Sequence, residues 1–453
     1  MKEIMIQKKK NYIHLKNPYL TIILFLTFFI FTFIGAGNII VVSFMGICLC
    51  LLGLLQGSVK VDLWIFMPLF LYNLISLISG YRIYGNTIIG FSSTQFIFPL
   101  IYLLVSYLQK NERYILQILC SLWVGIIAFL GIGEFVVEAF YGNASRISGL
   151  LGNPNAMGAI LVMGWFSIKS CLFKIEDGSI FKRILNFFES IILIALSLTL
   201  SIGSFGALGI GVIFMSLYGK QSFLYLLGQL STIILSFACG LLLYIAGSYT
   251  NWFGLVVVIL IYICLFSWYR EKLNECLSKY SVLPIVLCLA GILGLGILVI
   301  LRPNAFATLS ERIAMIKDGF QYLWIHPILG IGPYQWRIYN LHSGGQYFNT
   351  WHIHNIFVHV AVELGIIAFF ILLMIVVRHF MKKEDMAQRG AFIATFVHNL
   401  MDTSFFYIAT VPFLIMISHQ DDYYTKSLNK FTTRIIFCLL LFLFSWNLMQ
   451  CFL

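Results

Sequence analysis

The sequence predicts an all-α polytopic membrane protein, a bundle of about 12–15 transmembrane helices with one long external loop that contains an amphipathic helix. Composition is the first observation behind this prediction. Of 453 residues, 60% are hydrophobic and only 10% are charged, which is too apolar for a soluble globular protein. The second observation is a series of apolar runs long enough to cross a bilayer. The third is a single long hydrophilic excursion between two of them.

The apolar runs and the hydrophilic loop divide the chain into three regions. The loop, 302–353, separates the predicted transmembrane helices of 1–301 from the C-terminal helices of 354–453. The apolar runs lie at residues 19–35, 38–56, 61–79, 88–107, 114–140, 154–173, 222–246, 252–269, 282–301, 354–380 and 431–453.

Two further apolar runs, 184–218 and 389–419, are interrupted by small or polar residues near Ser201 and Asp402. Each predicts two shorter helices that meet at the outer face. Broken or re-entrant helices are the alternative, because a membrane tolerates them where protein or a water-filled cavity satisfies the freed backbone groups.

Positive charge divides unequally between the two sides that these spans define. With the N-terminus inside, all but six of the 29 Lys and Arg residues fall on the cytoplasmic side. The six outside are Arg82, Arg146, Arg302, Arg312, Lys317 and Arg337. Because short cytoplasmic loops are rich in Lys and Arg, this bias predicts a multi-pass protein of the cell membrane with a cytoplasmic N-terminus. The net charge of +11 then reflects topology, and no nucleic acid partner is implied.

The external loop carries a helix signal. Thr308 followed three residues later by Glu311 is the pattern of a capping box. Apolar residues recur at helical spacing, namely Leu309, Ile313, Ile316, Phe320 and Leu323. They predict an amphipathic helix along the membrane surface, and His326-Pro327 is predicted to end it.

Histidines concentrate in the segment 326–365, which has five of the nine in the chain. His354 lies at the predicted start of a span. An imidazole there, with a pKa near 6.5, is suited to take a proton from a hydroxyl at neutral pH. The alternative is a helix-end histidine hydrogen-bonded to backbone. Asn355 is expected either to orient a substrate or to cap the helix.

A metal site is a further interpretation of the same segment. His352 and His354 with His359 and Glu363 are residue types that bind zinc. Since no HExxH or other tight ligand spacing is present, and His359 and Glu363 are placed to pair with each other, neither a metal nor another cofactor is expected.

A second polar segment, 142–158, precedes the sixth apolar run. Asn153 and Pro154 predict a helix start, with Asn153 as the cap. Arg146 and Asn155 lie beside that start. Free N–H groups at a helix N-terminus together with a guanidinium bind phosphate; an ordinary capped turn is the alternative.

Several ionisable residues fall within apolar spans. They are Glu363 and two pairs at i, i+4 spacing, Glu134/Glu138 and His398/Asp402. Such groups face a bundle interior or a cavity. They predict either a polar cavity beneath the external loop or hydrogen bonds between helices.

Three stretches together resemble the O-antigen polymerase/ligase superfamily of bacterial membrane glycosyltransferases, namely RISGLLGNPN from Arg146, the stretch from Arg312 through HPILGIG, and above all HIHNIFVHVAVELG from His352. The resemblance covers residues 142–420. It implies transfer of a glycan from undecaprenyl diphosphate to an acceptor hydroxyl at the external membrane face, without a metal or a nucleotide sugar.

By position, the resemblance implies that His354 is the general base and that Arg146, Arg312 and Arg337 hold the diphosphate. The chemistry fits, because guanidinium groups stabilise the charge that develops on a leaving diphosphate. One position departs from the pattern. Many similar proteins have Ser-Arg-Gly at a hairpin tip where this chain has Ser204-Phe205-Gly206.

The leading functional prediction is a polymerase of a surface polysaccharide, which joins one lipid-linked repeat unit to another. A ligase that transfers the glycan to a lipid core, or to protein hydroxyls, shares the same donor. A flippase or other transporter is the alternative from a different class. Transporter sites lie near the membrane midplane, whereas this chain concentrates polar residues at one face.

Overall fold

The chain folds as a bundle of α-helices in the computed structural model, and the predicted all-α class is confirmed. The structure describes residues 15–85, 94–176, 178–221, 223–248, 256–257, 259–264, 282–301, 304–342, 348, 350–381, 385–419 and 425–452. Arg302 lies outside these ranges, and so does most of the predicted span 252–269.

The elements follow one another with short connections. In chain order they are α1 (Pro18–Phe31), α2 (Ile39–Leu54), β1 (Val59–Asp62), α3 (Leu63–Tyr84), α4 (Ile97–Val105), α5 (Lys110–Phe140), α6 (Pro154–Leu172), α7 (Ile180–Leu198), α8 (Ile202–Tyr218), α9 (Phe223–Gly247), α10 (Val282–Leu301), α11 (Ala305–Ile325), α12 (Trp336–His342), α13 (Ile356–Met381), α14 (Met386–Asn399), α15 (Thr410–Ser418), β2 (Thr425–Leu428) and α16 (Lys430–Gln450). Single 3-10 turns are present at Gly149–Leu151 and Ser404–Phe406.

Membrane-spanning helices account for much of the bundle. In the described part of the chain, six helices are long and apolar enough to cross a membrane, namely α3, α5, α6, α9, α13 and α16. The shorter helices α1, α2 and α8 are also apolar. The protein is a multi-pass membrane protein.

Helix α6 lies at the centre of the bundle. All of its residues from Ala156 to Cys171 are buried, including Lys169, whose ammonium group is paired with Glu189 of α7 at 2.7 Å. It packs against α5, α7 and α14. A Cβ at Gly164 would lie 2.4 Å from Cγ1 of Val124 on α5, so the close approach of these two helices requires glycine there.

A short antiparallel ribbon of β1 and β2, which the sequence analysis did not predict, closes one end of the bundle. Val59 and Val61 of β1 are buried whereas Lys60 between them is exposed, which is the alternation of a strand with one buried face. Asp62 ends the strand and forms a buried ion pair with Arg378 of α13, at 2.8 Å.

Both interrupted apolar runs form two helices each, as predicted. Helices α7 and α8 meet at Thr199–Ser201, where Leu200 has a positive φ of 46°. Helices α14 and α15 are joined by residues 400–409. Ile408 N donates to the carbonyl oxygen of Gly35, which places this connection beside the loop between α1 and α2.

The predicted helix in the 302–353 loop is present as α11 and ends before His326, as expected. The predicted capping box does not form, because the helix starts at Ala305 and Thr308 Oγ1 instead donates to the carbonyl oxygen of Asn304. Its buried face contains Met315 and Gly319, which pack toward α13. Of the predicted apolar stripe, Ile316 and Leu323 are half-buried, while Leu309, Ile313 and Phe320 are exposed.

Helix α13, predicted as one continuous span, is broken at Gly365 (φ 83°, ψ 175°). The loop after α11 enters the break: Ile331 N and Gly332 N donate to the carbonyl oxygens of Val362 and Glu363, at 2.9 and 2.8 Å. These contacts satisfy carbonyl groups that the broken helix leaves without an intrahelical partner. The loop and the first turns of α13 therefore form one unit.

We expect Gly365→Ala to destabilise this unit by about 2–5 kcal/mol, because the φ/ψ region is nearly restricted to glycine and the added methyl is overpacked. The Cβ would lie 2.0 Å from the carbonyl oxygen of Ile328. Thermal unfolding of the purified protein measures the effect. Gly133→Ala, in the interior of α5 with no atom within 4 Å of the added Cβ, is the matched control. An equal unfolding temperature for both variants would show that the break does not depend on glycine.

Candidate active site

The predicted base, His354, lies just before α13, beside an ion pair. Arg312 of α11 lies 3.2 Å from Asp402, from Nη2 to Oδ2, and it also donates to the carbonyl oxygen of Met401. His354 Nδ1 is 3.9 Å from Asp402 Oδ1, which is beyond hydrogen-bonding distance. Within the described part of the chain this nitrogen has no hydrogen-bond partner. The structure therefore brings together three of the predicted site residues.

The surroundings of His354 favour its neutral form. Burial lowers the pKa of His354 from its ordinary value; the Asp402 carboxylate opposes that shift and the Arg312 guanidinium adds to it. A lowered pKa leaves the imidazole neutral at neutral pH. Only the neutral imidazole accepts a proton from a hydroxyl.

The connection after α14 holds Asp402 in place. His398 Nδ1 lies 3.2 Å from Ser404 Oγ, and Asn399 Nδ2 donates to the same oxygen at 2.8 Å. The predicted i, i+4 arrangement of His398 and Asp402 does not form, because α14 ends at Asn399. Asp402 lies beyond the helix and pairs with Arg312 instead.

Asn355 caps α13. Its Oδ1 accepts from the backbone N–H groups of Phe357 and Val358 at 3.1 and 3.0 Å, and its Nδ2 donates to the carbonyl oxygen of Leu400 at 3.1 Å. The capping alternative of the two predicted roles is therefore the one observed. The bond to Leu400 also ties the His354 segment to the connection that carries Asp402.

The second polar segment forms an ordered loop around Arg146. Arg146 donates from Nε to the carbonyl oxygen of Thr199 at 2.8 Å and from Nη2 to Asn155 Oδ1 at 3.0 Å. Asn153 Oδ1 accepts from the N–H groups of Asn155 and Ala156, at 2.9 and 3.1 Å, so Asn153 is the predicted cap of α6. The loop thus contacts the tip between α7 and α8.

Tyr407 joins this loop to the His354 centre. Its side chain is hydrogen-bonded to that of Asn153, and its pKa is raised by burial and by the Asp402 carboxylate, with the Asn153 bond opposing the shift. The two polar segments, far apart in sequence, therefore lie at the same end of the bundle.

Glu134 and Glu138 have a structural role in this loop. Glu134 Oε2 accepts from the backbone N–H of Gly149 at 2.8 Å, and Glu138 accepts from Ser145 Oγ. Neither interpretation, a polar cavity or hydrogen bonds between helices, describes these two residues, because both carboxylates bind the loop between α5 and α6. Their carboxylates fix the loop that carries Arg146.

Glu363 fixes the other loop. Its carboxylate accepts from the backbone N–H groups of Tyr334 and Trp336 at 2.9 and 3.1 Å. His359 Nε2 lies 3.4 Å from Glu363 Oε2, the pairing that was the alternative to a metal site. Glu363 also lines a small cavity with His352 and Phe406.

His352 lines a neighbouring cavity, and Arg337 contacts Trp351 at the same place. The guanidinium of Arg337 lies 4.2 Å from the ring centroid of Trp351. Trp351 and His352 both line a cavity of about 610 Å³. His352 stacks on Phe406 with ring centroids 3.6 Å apart. His352 and His354 thus face different neighbours, although neither is in a helix.

An apolar groove adjoins this cavity and shares Gln95, Phe98, Phe405 and Phe406 with it. It runs between α3, α4, α13, α14 and α15. Ile356 and Phe406 line it near the His354 centre, and His379 and His419 line it near the opposite end. On a straight helix the stretch from Ile356 to His379 would span roughly 35 Å at 1.5 Å per residue, somewhat more than the hydrocarbon core of about 30 Å.

Phe205, which stands where similar proteins have arginine, packs away from charge. Its ring lies 4.7 Å from that of Phe237 in an edge-on contact, among the apolar side chains of Leu200 and Leu241. The hairpin tip therefore contributes no guanidinium to this end of the bundle at this position. Arg146, bonded to the tip through Thr199, is the nearby cation that the structure describes.

Sequence reasoning did not single out Trp351, Gln95 or Tyr407. Trp351 is next to His352 in an aromatic-rich polar segment, and this position could have identified it from the sequence. Gln95 and Tyr407 are single polar residues in apolar surroundings, and only the packing of α4 and of the 400–409 connection brings them to the site.

Comparison with known proteins found one family that resembles part of this chain. Residues 187–373 match the sequence model of a family described as O-antigen ligase. The matched stretch includes Arg312, Arg337 and His354, whereas Arg146 and Asp402 lie outside it. A search of curated proteins found no match. The family match supports an O-antigen polymerase/ligase-type function and a glycosyltransferase-like enzyme. Residues 187–373 of this membrane protein are therefore similar to the O-antigen ligase family.

Proposed function

We propose that the protein polymerises a bacterial surface polysaccharide of the O-antigen, capsule or exopolysaccharide type. It transfers a glycan from undecaprenyl diphosphate to a sugar hydroxyl of another lipid-linked repeat unit. The observation that carries the proposal is the convergence of His354, Asp402 and Arg312 at one end of the bundle, close in sequence to Ile356 and Phe406 of the apolar groove.

In the proposed step, the acceptor hydroxyl oxygen bonds to the anomeric carbon of the donor sugar. The bond between that carbon and the diphosphate oxygen breaks, and undecaprenyl diphosphate leaves with the electron pair. His354 takes the hydroxyl proton as general base. The step uses neither a metal nor a nucleotide sugar.

Cationic groups at the same end stabilise the leaving diphosphate. Arg312 is linked to His354 through Asp402, which lies beside both residues. Arg146 and Arg337 approach from the loop before α6 and from α12. Fixed guanidinium groups in a partly dry site stabilise developing charge without reorganising.

The apolar groove suits the polyprenyl tail. A chain of isoprene units needs an apolar surface that reaches from the headgroup region into the hydrocarbon core, and the side chains that line the groove between Ile356 and His379 of α13 offer such a surface. Phe405 and Phe406, which also line the groove, follow Asp402 by three and four residues. A tail in the groove would therefore bring its diphosphate to the His354 centre.

The same proposal places the site outside the cell. The excess of Lys and Arg on the other side indicates a cytoplasmic N-terminus and an active site at the external face of the cell membrane. The regions 1–301 and 354–453 then form the membrane-embedded bundle, and 302–353 is the external loop above it.

Incubation of the purified protein with undecaprenyl-diphosphate-linked repeat units tests the proposal. A ladder of longer lipid-linked products indicates a polymerase. Transfer of one unit to an added lipid core or protein acceptor, without a ladder, indicates a ligase or a protein O-oligosaccharyltransferase. Movement of the donor across a vesicle membrane without a covalent product indicates a flippase and rejects the proposal.

We expect Arg146→Ala and Arg337→Ala each to weaken engagement of the donor by about ten- to a hundredfold, since a charge-assisted hydrogen bond contributes about 1.5–3 kcal/mol. Arg→Lys should recover part of the loss, because a point charge lacks the bidentate fork. Binding of labelled undecaprenyl diphosphate measures the effect. Lys317→Ala, an exposed cation on α11, is the control and should change nothing. Unchanged binding by either alanine variant removes that arginine from the site.

A further inference from the structure

The cavity beside the His354 centre has a distinct chemical character. Its volume is about 610 Å³, and none of its described lining residues is charged at neutral pH. Aromatic and uncharged polar side chains line it, among them Asn38, Tyr84, Thr94, Gln95, Trp351 and His352. Binding sites for small molecules combine these two kinds of side chain.

His352 is one of the polar side chains that line this cavity. Its Nδ1 is buried and has no hydrogen-bond partner among the described residues. The ring is held by stacking on Phe406, with an interplanar angle of 1°. Burial, with a smaller effect of His354, lowers the pKa of His352 to about 3, so the imidazole is neutral. A buried nitrogen without a partner costs free energy unless a ligand satisfies it.

Trp351 presents an aromatic surface at the same cavity. The residue is 57% exposed, and its ring is in contact with the Arg337 guanidinium. An exposed tryptophan that lines a cavity offers an amphipathic ring surface. The C–H groups on one face of a pyranose ring stack on such a surface.

We propose that this cavity binds an uncharged sugar ring of the glycan substrate, stacked on Trp351 and hydrogen-bonded through a hydroxyl to His352 Nδ1. The inference rests on the proposed function and adds a sugar preference to it. The diphosphate is a poor occupant, because no cation is among the described residues that line the cavity. A uronic acid is disfavoured for the same reason, since its carboxylate would be buried without a partner. The polyprenyl tail takes the adjoining apolar groove.

Binding of sugars without lipid or diphosphate tests the subsite. The probes are methyl glucoside, methyl galactoside and methyl N-acetylglucosaminide, with methyl glucuronide as the acidic counterpart. Saturation-transfer NMR on the full-length protein in nanodiscs measures their affinities. We expect at least one neutral glycoside to bind, with Trp351→Ala weakening it by about tenfold, Trp351→Phe by less, and the glucuronide binding more weakly than its neutral counterpart.

Trp324→Ala is the control, because Trp324 is 82% exposed on α11 and does not line the cavity. It should bind as the wild type does. Equal affinity for glucuronide and glucoside, or unchanged binding by both Trp351 variants, overturns the inference. Trp351→Phe retains an aromatic ring, so the test does not depend on the folding of the alanine variant.

Kinetic measurements distinguish whether the sugar in the cavity belongs to the acceptor or to the donor. In the transfer assay, Trp351→Phe should raise KM for the acceptor if the cavity holds acceptor sugar, or KM for the donor if it holds the donor's own glycan. An unchanged KM for both overturns the inference. If the wild type binds neutral glycosides but forms no product, the subsite stands and the proposed function fails. If the wild type forms product while both Trp351 variants bind sugars normally, the proposed function stands and the sugar subsite fails.

Discussion

Replacement of His354 by alanine is expected to lower glycan transfer by about 10²–10⁴-fold, the usual range for a lost general base. Binding of labelled undecaprenyl diphosphate should change little, because the imidazole is assigned to the acceptor hydroxyl rather than to the diphosphate. Transfer from a lipid-linked donor under single-turnover conditions measures the chemical step. Near-normal transfer by His354→Ala would place the base elsewhere.

His352→Ala is the comparison for this variant, because His352 is assigned a sugar contact and no part in proton transfer. The two histidines lie two residues apart, but His352 stacks on Phe406 at the neighbouring cavity whereas His354 lies beside Asp402. The loss in His352→Ala should therefore be much smaller. Asn355→Ala should be intermediate, since it removes the cap of α13 and the bond that ties the His354 segment to Leu400.

The pH dependence of transfer provides a second measurement. Protonated imidazole cannot accept the hydroxyl proton, so transfer should rise with pH as His354 loses its proton. Because burial lowers the pKa of His354, the rising limb should lie below the ordinary histidine value and transfer should be level at neutral pH. His354→Ala should lack this limb. A limb that persists in the variant belongs to another group.

Removal of Arg312 should have the second largest effect. Arg312→Ala leaves the buried Asp402 carboxylate without its ion-pair partner, which costs about 3–5 kcal/mol. It also removes a guanidinium from the proposed diphosphate site, with about a ten- to hundredfold loss in donor engagement. The Arg312 charge lowers the pKa of His354. The pH limb of Arg312→Ala should therefore move to higher pH, whereas that of Asp402→Asn should move to lower pH.

The double variant Arg312→Ala/Asp402→Asn separates the two roles of Arg312. If the arginine only neutralises Asp402, removal of both charges should restore donor binding close to that of Asp402→Asn. If Arg312 contacts the diphosphate, the double variant should still bind the donor as poorly as Arg312→Ala does. Donor binding by the wild type, the two single variants and the double variant gives the coupling free energy between Arg312 and Asp402. Recovery in the double variant would remove Arg312 from the donor site.

Much of the fold follows from composition and local sequence. Apolar runs of sufficient length form helices in a membrane because every backbone group must then be satisfied within the segment. The two interrupted runs, 184–218 and 389–419, divide where small and polar residues occur. Asn153 and Pro154 start α6 as predicted, because capping depends on neighbours within three residues.

Features of the fold that depend on distant segments were not predicted from the sequence, or differ from the prediction. The break at Gly365 exists because residues 326–336, which precede it by some thirty positions, donate hydrogen bonds into α13. The ribbon of β1 and β2 pairs strands from the two ends of the chain. Thr308 does not cap α11, because the helix extends back to Ala305. No local pattern contains this information.

The sequence by itself determined which residue types were available for chemistry at one end of the bundle, namely the histidines of 352–359, the arginines of the outer loops and the polar residues around Asp402. Only the tertiary structure decided how they combine. Asp402 lies three residues beyond the end of α14, so helical spacing could not pair it, and the packing of α11 against α13 brings Arg312 to it. The separation of His352 from His354, one at an uncharged cavity and the other at an ion pair, likewise depends on the distant residues Phe406 and Asp402. Side-chain identity is local, whereas the partners of a buried polar group are set by the whole bundle.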